Sequence, residues 1–546
     1  MQLDTLLFNG RCYTMEQEGD LVEAIGIKDG IIKFTGSNDE AYKLTSKHVI
    51  DLEGKAVIPG MVDAHMHMYA YCQNLALVDL QDARSMKDMV DLMKDKAKTT
   101  PKGKWIKGVN FDQSKFVENR FPTKEDLDTI SKDHPIVIKR CCLHAVVANS
   151  LALKKAGVDG TYQVDPGGIV EWGQDGQPNG ILREQATKIF DELIPDPLLD
   201  GDEKERIMDK VLNEMSSKGV TGIHTYAAKI WQYNEDVDLY KTMSKEGKLP
   251  LRVTVCLDDL FEPEVLSEAD WHNPYRLVQY GAYKLFTDGS LGARSAALKE
   301  PYSDDLSNKG FLVCTQEELV QKVEVAYRKG LQPAIHAIGD AALDLTLTAI
   351  ERCLKTMREE GMTEEAIAGR LPFRIIHVQL FDEDLIKRMK KLPLVLDIQP
   401  VFLCTDMHWI QDRIGSDRMD NAYAWKTLLD QGFIQTGGSD CPVESYDPML
   451  GIYAAATRKG FNQEPSSGFY PKECLSVYES IALFTKNPHY ATGQEGVLGT
   501  LSLDKFADIV VLDEDPFMIE ADNIMNINVL KTFVAGKQVY TLEGII

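Results

Sequence analysis

Residues 56–68, AVIPGMVDAHMHM, decide how this chain is read. The run Ala56–Asp63 is apolar, β-branched in part and punctuated by Pro59 and Gly60, which predicts a buried strand. In a strand, residues i and i+2 project to the same face, so the imidazoles of His65 and His67 reach one point beyond the strand's end. Neutral imidazole is a favoured metal ligand near neutral pH. A His-x-His in this place calls for further ligand-type residues at the ends of other strands.

Outward from this stretch, the chain alternates helix and strand from about residue 203. A helical stretch over 203–219 leads to VTGIHTY (220–226), and a helix around Glu235–Glu246 leads to LRVTVCL (251–257). A longer connection reaches GAYKLFTDG (281–289). Helical runs at 317–330, 340–361, 382–392 and 422–432 then precede QPAIHAIGD, FRIIHVQ, LVLDIQP and FIQTGGSD. With the first strand this makes eight βα-type units, which predict a parallel sheet closed into a (β/α)8 TIM barrel of the α/β class; a doubly wound open sheet is the runner-up.

The chain ends have a different texture. Residues 1–60 and the tail from about 495 to 546 read as short strands separated by Gly, Asn-Gly and Asp-Gly turns. Pairing them gives one small composite β-sandwich, 1–60 plus 495–546, beside a barrel domain at 61–494. The segment from about 70 to 202 breaks the βα rhythm with PGG, DGQPNG and PDP turns, and reads as a large insertion after barrel strand 1 that shapes the barrel mouth.

Composition bounds the function. The 546 residues carry 60 Lys and Arg against 84 Asp and Glu, a formal charge of −24, which argues against nucleic acid and anionic membrane as partners. The hydrophobic share of 44% and charged share of 26% are those of a soluble globular protein. The N-terminus shows no secretory pattern and no apolar run reaches the length of a membrane span. Ten scattered cysteines without a C-x-x-C motif suit reduced thiols in a cytoplasmic protein.

The ligand-type residues fall at strand ends: His65 and His67 on strand one, Lys284 in strand four, His336 on five, His377 on six and Asp440 on eight. Parallel barrel strands all end at one face, where active sites sit.

These residues lie in stretches that resemble the amidohydrolase superfamily, its family 3 branch in particular: GKAVIPGMVDAHMHM, GAYKLFTDGSLGARSAAL, HAIGDAALD, IIHVQ and GGSDCPVES, with FADIVVLDEDP and VAGKQVY in the tail. The resemblance implies a TIM barrel holding one or two divalent metals per chain, usually Zn2+, that activate water for hydrolysis. It implies that His65 and His67 bind one metal, that His336 and His377 bind the other, and that Asp440 touches the metal and moves the proton of the catalytic water. Lys284 would be carboxylated and bridge both ions. An unmodified lysine has no acceptor and cannot ligate metal, whereas its carbamate is a two-oxygen anion.

Weaker candidates for substrate contact are His144 in the insertion, His224 at the end of strand two, and Asp288 and Arg294 in the loop TDGSLGARSA after strand four. Gly289 and Gly292 suit a tight turn there, and Asp288 is also placed to orient a ligand. Trp172, Trp409 and Phe402 are candidate pocket aromatics. The function implied is a metal-dependent hydrolase cleaving a non-peptide carbon–nitrogen bond of a small amide, such as an N-substituted formamide or another N-acyl compound, with metal-activated hydroxide as nucleophile. The alternatives are a mononuclear deaminase of a heterocyclic amine and a non-catalytic ligand-binding barrel. A homodimer is the assembly suggested at family level.

Overall fold

The computed structural model describes residues 2–140, 145–164, 168–196, 198, 201–226, 230–258, 273 and 275–542. The chain forms two compact units, one of residues 1–68 with 209–546 and the other of residues 69–208.

The first unit contains the barrel. Its strands are β1 (Met61–Met66), β2 (Val220–Tyr226), β3 (Arg252–Asp258), β4 (Val278–Phe286), β5 (Pro333–Ala337), β6 (Phe373–His377), β7 (Leu394–Ile398) and β8 (Ile434–Gly437). They form one eight-stranded sheet in which each pairs in parallel with its neighbours in sequence. β8 returns to β1 at the strand ends, where the Asp440 amide donates to the His65 carbonyl at 2.7 Å and the His67 amide to the Cys441 carbonyl at 2.7 Å. Gly438 permits that approach, since a Cβ there would lie 2.7 Å from the His65 nitrogen.

Sequence explains the alternation. VTGIHTY is buried throughout, as expected of a strand covered on both faces. The helix Gln316–Arg328 begins in a capping box between Thr315 and Glu318 and buries Leu319, Val320, Val323, Ala326 and Tyr327, one stripe at helical spacing.

Both chain ends enter a second set of sheets. One has four strands in the order Ile31–Gly36, Ala24–Lys28, Gln2–Phe8, Thr45–Asp51. The other has six, ordered Lys537–Thr541, Val529–Val534, Ile509–Leu512, Ala56–Pro59, Arg11–Tyr13, Leu21–Val22. Ala56–Pro59 and Ile509–Leu512 are covered on both faces. Val57, Ile509 and Val511 enter the sandwich core, while Ile58, Val510 and Leu512 enter the cluster under the barrel helices. Alternation along each strand produces this division and accounts for the unbroken apolar runs.

The run read as a single strand, Ala56–Asp63, is two. Ala56–Pro59 belongs to the sandwich sheet and Met61–Met66 to the barrel, with Gly60 as the joint. A Cβ on Gly60 would meet Thr221 Oγ1 at 2.1 Å, so only glycine fits where the chain changes partners.

The unit 69–208 has a six-stranded mixed sheet, ordered Gly168–Trp172, Pro178–Glu184, Ala145–Ala148, Ile136–Arg140, Ile106–Phe111, Val78–Asp79. Helix Met86–Thr99 lays Met86, Met89 and Met93 into its core. Among the described residues no helix is long and apolar enough to cross a membrane.

Candidate metal centre

At the C-terminal ends of the barrel strands, ligating atoms of His65, His377 and Asp440 all lie within 4.8 Å of one another. Asp440 Oδ1 is 3.3 Å from His65 Nε2 and 3.2 Å from His67 Nε2. Lys284 Nζ stands 3.3 Å from His65 Nε2. The His336 and His377 rings meet edge to face with centroids 4.5 Å apart. Of the six strand-end residues singled out in the sequence, His65, His377 and Asp440 share one cluster, His67 and Lys284 adjoin it through Asp440 and His65, and His336 borders it through His377.

The backbone holds them under strain. His377 has φ +79° and Asp440 φ +55°, in the left-handed region that non-glycine residues seldom occupy. Around Asp440 the turn is held by buried Asp63, whose Oδ1 accepts from the amides of His65 (3.1 Å) and Ser439 (3.0 Å) and whose Oδ2 accepts from Ser439 Oγ (2.5 Å). Burial pushes the Asp63 carboxyl up to about 7, against the hydrogen bonds from Ser439.

Hydrogen bonds fix the tautomers. His67 Nδ1 faces the Tyr226 carbonyl at 3.3 Å, and His377 Nδ1 faces Gln399 Oε1 at 2.7 Å. His336 Nε2 faces the Gly289 carbonyl at 3.0 Å and Asp288 Oδ1 at 3.3 Å. An oxygen acceptor requires the proton on the nitrogen it faces, so in the neutral ring the lone pair sits on the other: Nε2 of His67 and His377, Nδ1 of His336. Burial, reinforced by the charge of Lys284, holds the His65 imidazole well below its ordinary range, so it is neutral. Burial and the neighbouring His336 do the same to His377. Burial acts to raise the Asp440 carboxyl, but the His65 and His67 imidazoles beside it prevail and hold it well below the usual carboxylate range.

This donor set fits a divalent cation. His65 Nε2 and His67 Nε2 both face Asp440 Oδ1, at 3.3 and 3.2 Å, a convergence of imidazole nitrogens on one carboxylate oxygen of the kind that holds a cation. Among the described residues buried His65 Nδ1 has no hydrogen-bond partner. His67, His336 and His377 are each held from behind by an outer oxygen acceptor, the pattern of a metal site with its supporting hydrogen bonds. Burial pushes the Lys284 ammonium down to about 8, against the charge of Asp440, which makes the neutral amine accessible.

The remaining candidates lie as follows. His224 is buried on β2, its Nδ1 3.2 Å from Arg374 Nη1. Asp288 is buried; it accepts from the amides of Ala297, Ile338 and Gly339 and ties the loop after β4 to the one after β5. Arg294 is held by two bonds to Asp304, at 3.1 and 2.8 Å. Phe402 stacks on the His377 ring with centroids 6.0 Å apart. Trp409 lies 3.5 Å from where a Gly292 Cβ would be, and Trp172 is exposed in the other unit. His144 lies outside the described residues.

Sequence reading missed the support beneath the ligands. Arg374 on β6 and Asp397 on β7 form a fully buried ion pair at 2.8 Å, and Arg374 Nη2 also donates to the Ala64 carbonyl beside His65 at 2.8 Å. Gln399 and Ser439 were missed as well. The available signal was a charged residue within an otherwise apolar strand, as in FRIIH and LVLDI.

Comparison with known proteins gives this centre its context. The profile of the Amidohydrolase family matches residues 48–540. The chain belongs to the amidohydrolase family. "Putative amidohydrolase YtcJ" of Bacillus subtilis (strain 168) is 34% identical over 543 residues, covering 97% of this chain and 98% of that protein. The N-substituted formamide deformylase of Arthrobacter pascens is 24% identical over 557 residues, 99% of each chain. An uncharacterized metal-dependent hydrolase from Pyrococcus horikoshii OT3 superposes with TM-score 0.77 at 28% identity, over 95% of this chain and 99% of that one. The amidohydrolase described here is accordingly a hydrolase of the metal-dependent type, built on a TIM barrel with the sandwich formed from both chain ends.

Proposed function

We propose that this amidohydrolase cleaves a non-peptide carbon–nitrogen bond of a small amide, an N-substituted formamide or a related N-acyl compound. The observation that carries the reading is the convergence of the His65, His67 and His377 imidazoles on ionised, buried Asp440. His65 and His67 would hold one divalent metal, His336 and His377 a second, with Asp440 touching the first; zinc suits this donor set. When bound, the metal supplies Lewis acidity that polarises the substrate carbonyl and eases deprotonation of water.

The chain's own residues do the rest. Asp440 Oδ1 takes a proton from the attacking water and passes it to the leaving nitrogen, which departs as the free amine. Lys284 as the neutral amine forms an N–C bond with carbon dioxide and loses a proton to solvent, giving an anion able to bridge two cations. Asp63 and Ser439 hold the Asp440 turn, and Gln399 orients His377. Residues 61–494 carry the reaction and 1–60 with 495–546 form the sandwich. Ten scattered cysteines without a C-x-x-C motif suit a cytoplasmic location.

The experiment is release of free acid from N-substituted formamides by purified wild type and by Asp440→Asn. Turnover by wild type and none by the folded variant is expected. Release of ammonia from heterocyclic amines, with amides left intact, would replace amide hydrolysis by deamination.

A further inference from the structure

The first eight residues of β4 are buried and the ninth, Phe286, is 38% exposed. Phe286 is two residues beyond Lys284, so both project to the same side of the strand. Lys284 Nζ lies 5.1 Å from the Phe286 ring centre, and the Phe286 ring lies 5.7 Å from the ring of His336, its partner in the β4–β5 register. A large apolar ring is therefore left open to solvent directly beside two residues of the candidate centre.

Its surroundings are apolar as well. Phe311, Leu312 and Val313 are three consecutive residues exposed by 59, 42 and 49%. This run is fastened to the end of β4: the Val313 amide donates to the Thr287 carbonyl at 2.9 Å and Cys314 Sγ to the Phe286 carbonyl at 3.5 Å. Scattered exposed apolar residues are ordinary, but a run of three beside a functional centre costs solubility without return unless something covers it. Continuity with His336 and Lys284 points to substrate as the cover.

We propose that Phe286, with the Phe311–Val313 run beside it, is the specificity-determining surface for an apolar substituent, aryl or branched alkyl, on the amide. The surface rests on the hydrolytic reading above for the carbonyl it serves. Phe286 presents its face to the substituent while the carbonyl lies toward His336. Amides with a small substituent leave the ring in water and gain nothing from it.

The test uses zinc-loaded full-length protein and a matched pair, N-phenethylformamide and N-methylformamide. Binding is read by calorimetry and turnover by formate release, for wild type, Phe286→Ala and Leu312→Ser at matched zinc content. Wild type is expected to favour the phenethyl amide by at least about tenfold, the scale set by burying small apolar increments in a pocket. Phe286→Ala is expected to remove most of that preference and Leu312→Ser part of it. An unaltered preference in both variants overturns the proposal, as does failure of wild type to bind either amide. A dimer lost in Leu312→Ser without change in preference overturns it too, because the surface then belongs to a second copy of the chain. Equal hydrolysis of both amides sinks this surface and leaves the reaction standing. A phenethyl preference in binding that depends on Phe286, with no hydrolysis of either amide, sinks the reaction and leaves the surface.

Discussion

Gln399→Leu isolates the contribution of one hydrogen bond behind the candidate metal centre. Gln399 Oε1 accepts from His377 Nδ1 at 2.7 Å, and its own Nε2 is directed to the Asp397 carbonyl at 3.3 Å, which sets the amide's orientation. Leucine keeps the bulk and removes the acceptor. His377 is buried, so solvent does not readily replace it. The stranded Nδ1–H costs about 1–3 kcal/mol. The proton can move to Nε2 to avoid that cost, but the lone pair facing Asp440 is then lost. Outer partners of ligating histidines account for roughly 10–100-fold in metal affinity, about 1.4–2.7 kcal/mol at 1.36 kcal/mol per tenfold, in the range of the desolvation figure. The assay is competition for zinc between apo-protein and a chromophoric chelator at neutral pH, with far-UV circular dichroism as the check on folding. Gln399→Leu is expected to weaken zinc by one to two orders of magnitude, and Gln399→Glu, which keeps an acceptor, to restore most of it. Wild-type affinity in a folded Gln399→Leu protein would refute the reasoning.

Three further outcomes follow from the same contacts. Asp440→Asn should abolish amide turnover while the thermal midpoint stays near that of wild type, and retained turnover in steady-state assays would remove Asp440 from the proton path. Burial pushes the His489 imidazole from 6.5 down to about 4, so the unfolded chain takes up a proton before the folded one. Stability is then full above about 6.5 and falls by about 3 kcal/mol as pH drops toward 4, and the acid-induced drop in thermal midpoint should shrink in His489→Gln. Asp508 receives Arg252 Nε at 2.7 Å and Nη2 at 3.1 Å in a buried pair joining β3 to the sandwich. Asp508→Ala breaks that buried pair at a cost of about 3–5 kcal/mol, to be read as a lower melting temperature, and an unchanged melting curve would contradict the pairing's role.

The barrel was legible because its strands are short apolar runs separated by amphipathic helices, and because histidines close β1, β5 and β6 where the sheet meets its mouth. The candidate ligands could be read for the same reason: each is a polar residue at the end of an apolar strand. The break at Gly60 could not be read that way. Both halves of AVIPGMVD are covered on two faces, so composition does not change where the chain passes from sandwich to barrel. The supporting contacts were hidden for a different reason. Arg374 with Asp397, and Asp63 with Ser439, are separated by 23 and 376 residues; the first pair depends on the register of β6 against β7 and the second on the barrel having closed.

The central claim is that His65, His67, His336, His377 and Asp440 form a metal centre. Elemental mass spectrometry of protein purified without added metal tests it most directly, with His65→Ala and His377→Ala prepared in parallel. One to two equivalents of a divalent metal per chain in wild type, sharply reduced in both folded variants, is the expected result. No bound metal in wild type, even after reconstitution, would contradict the account.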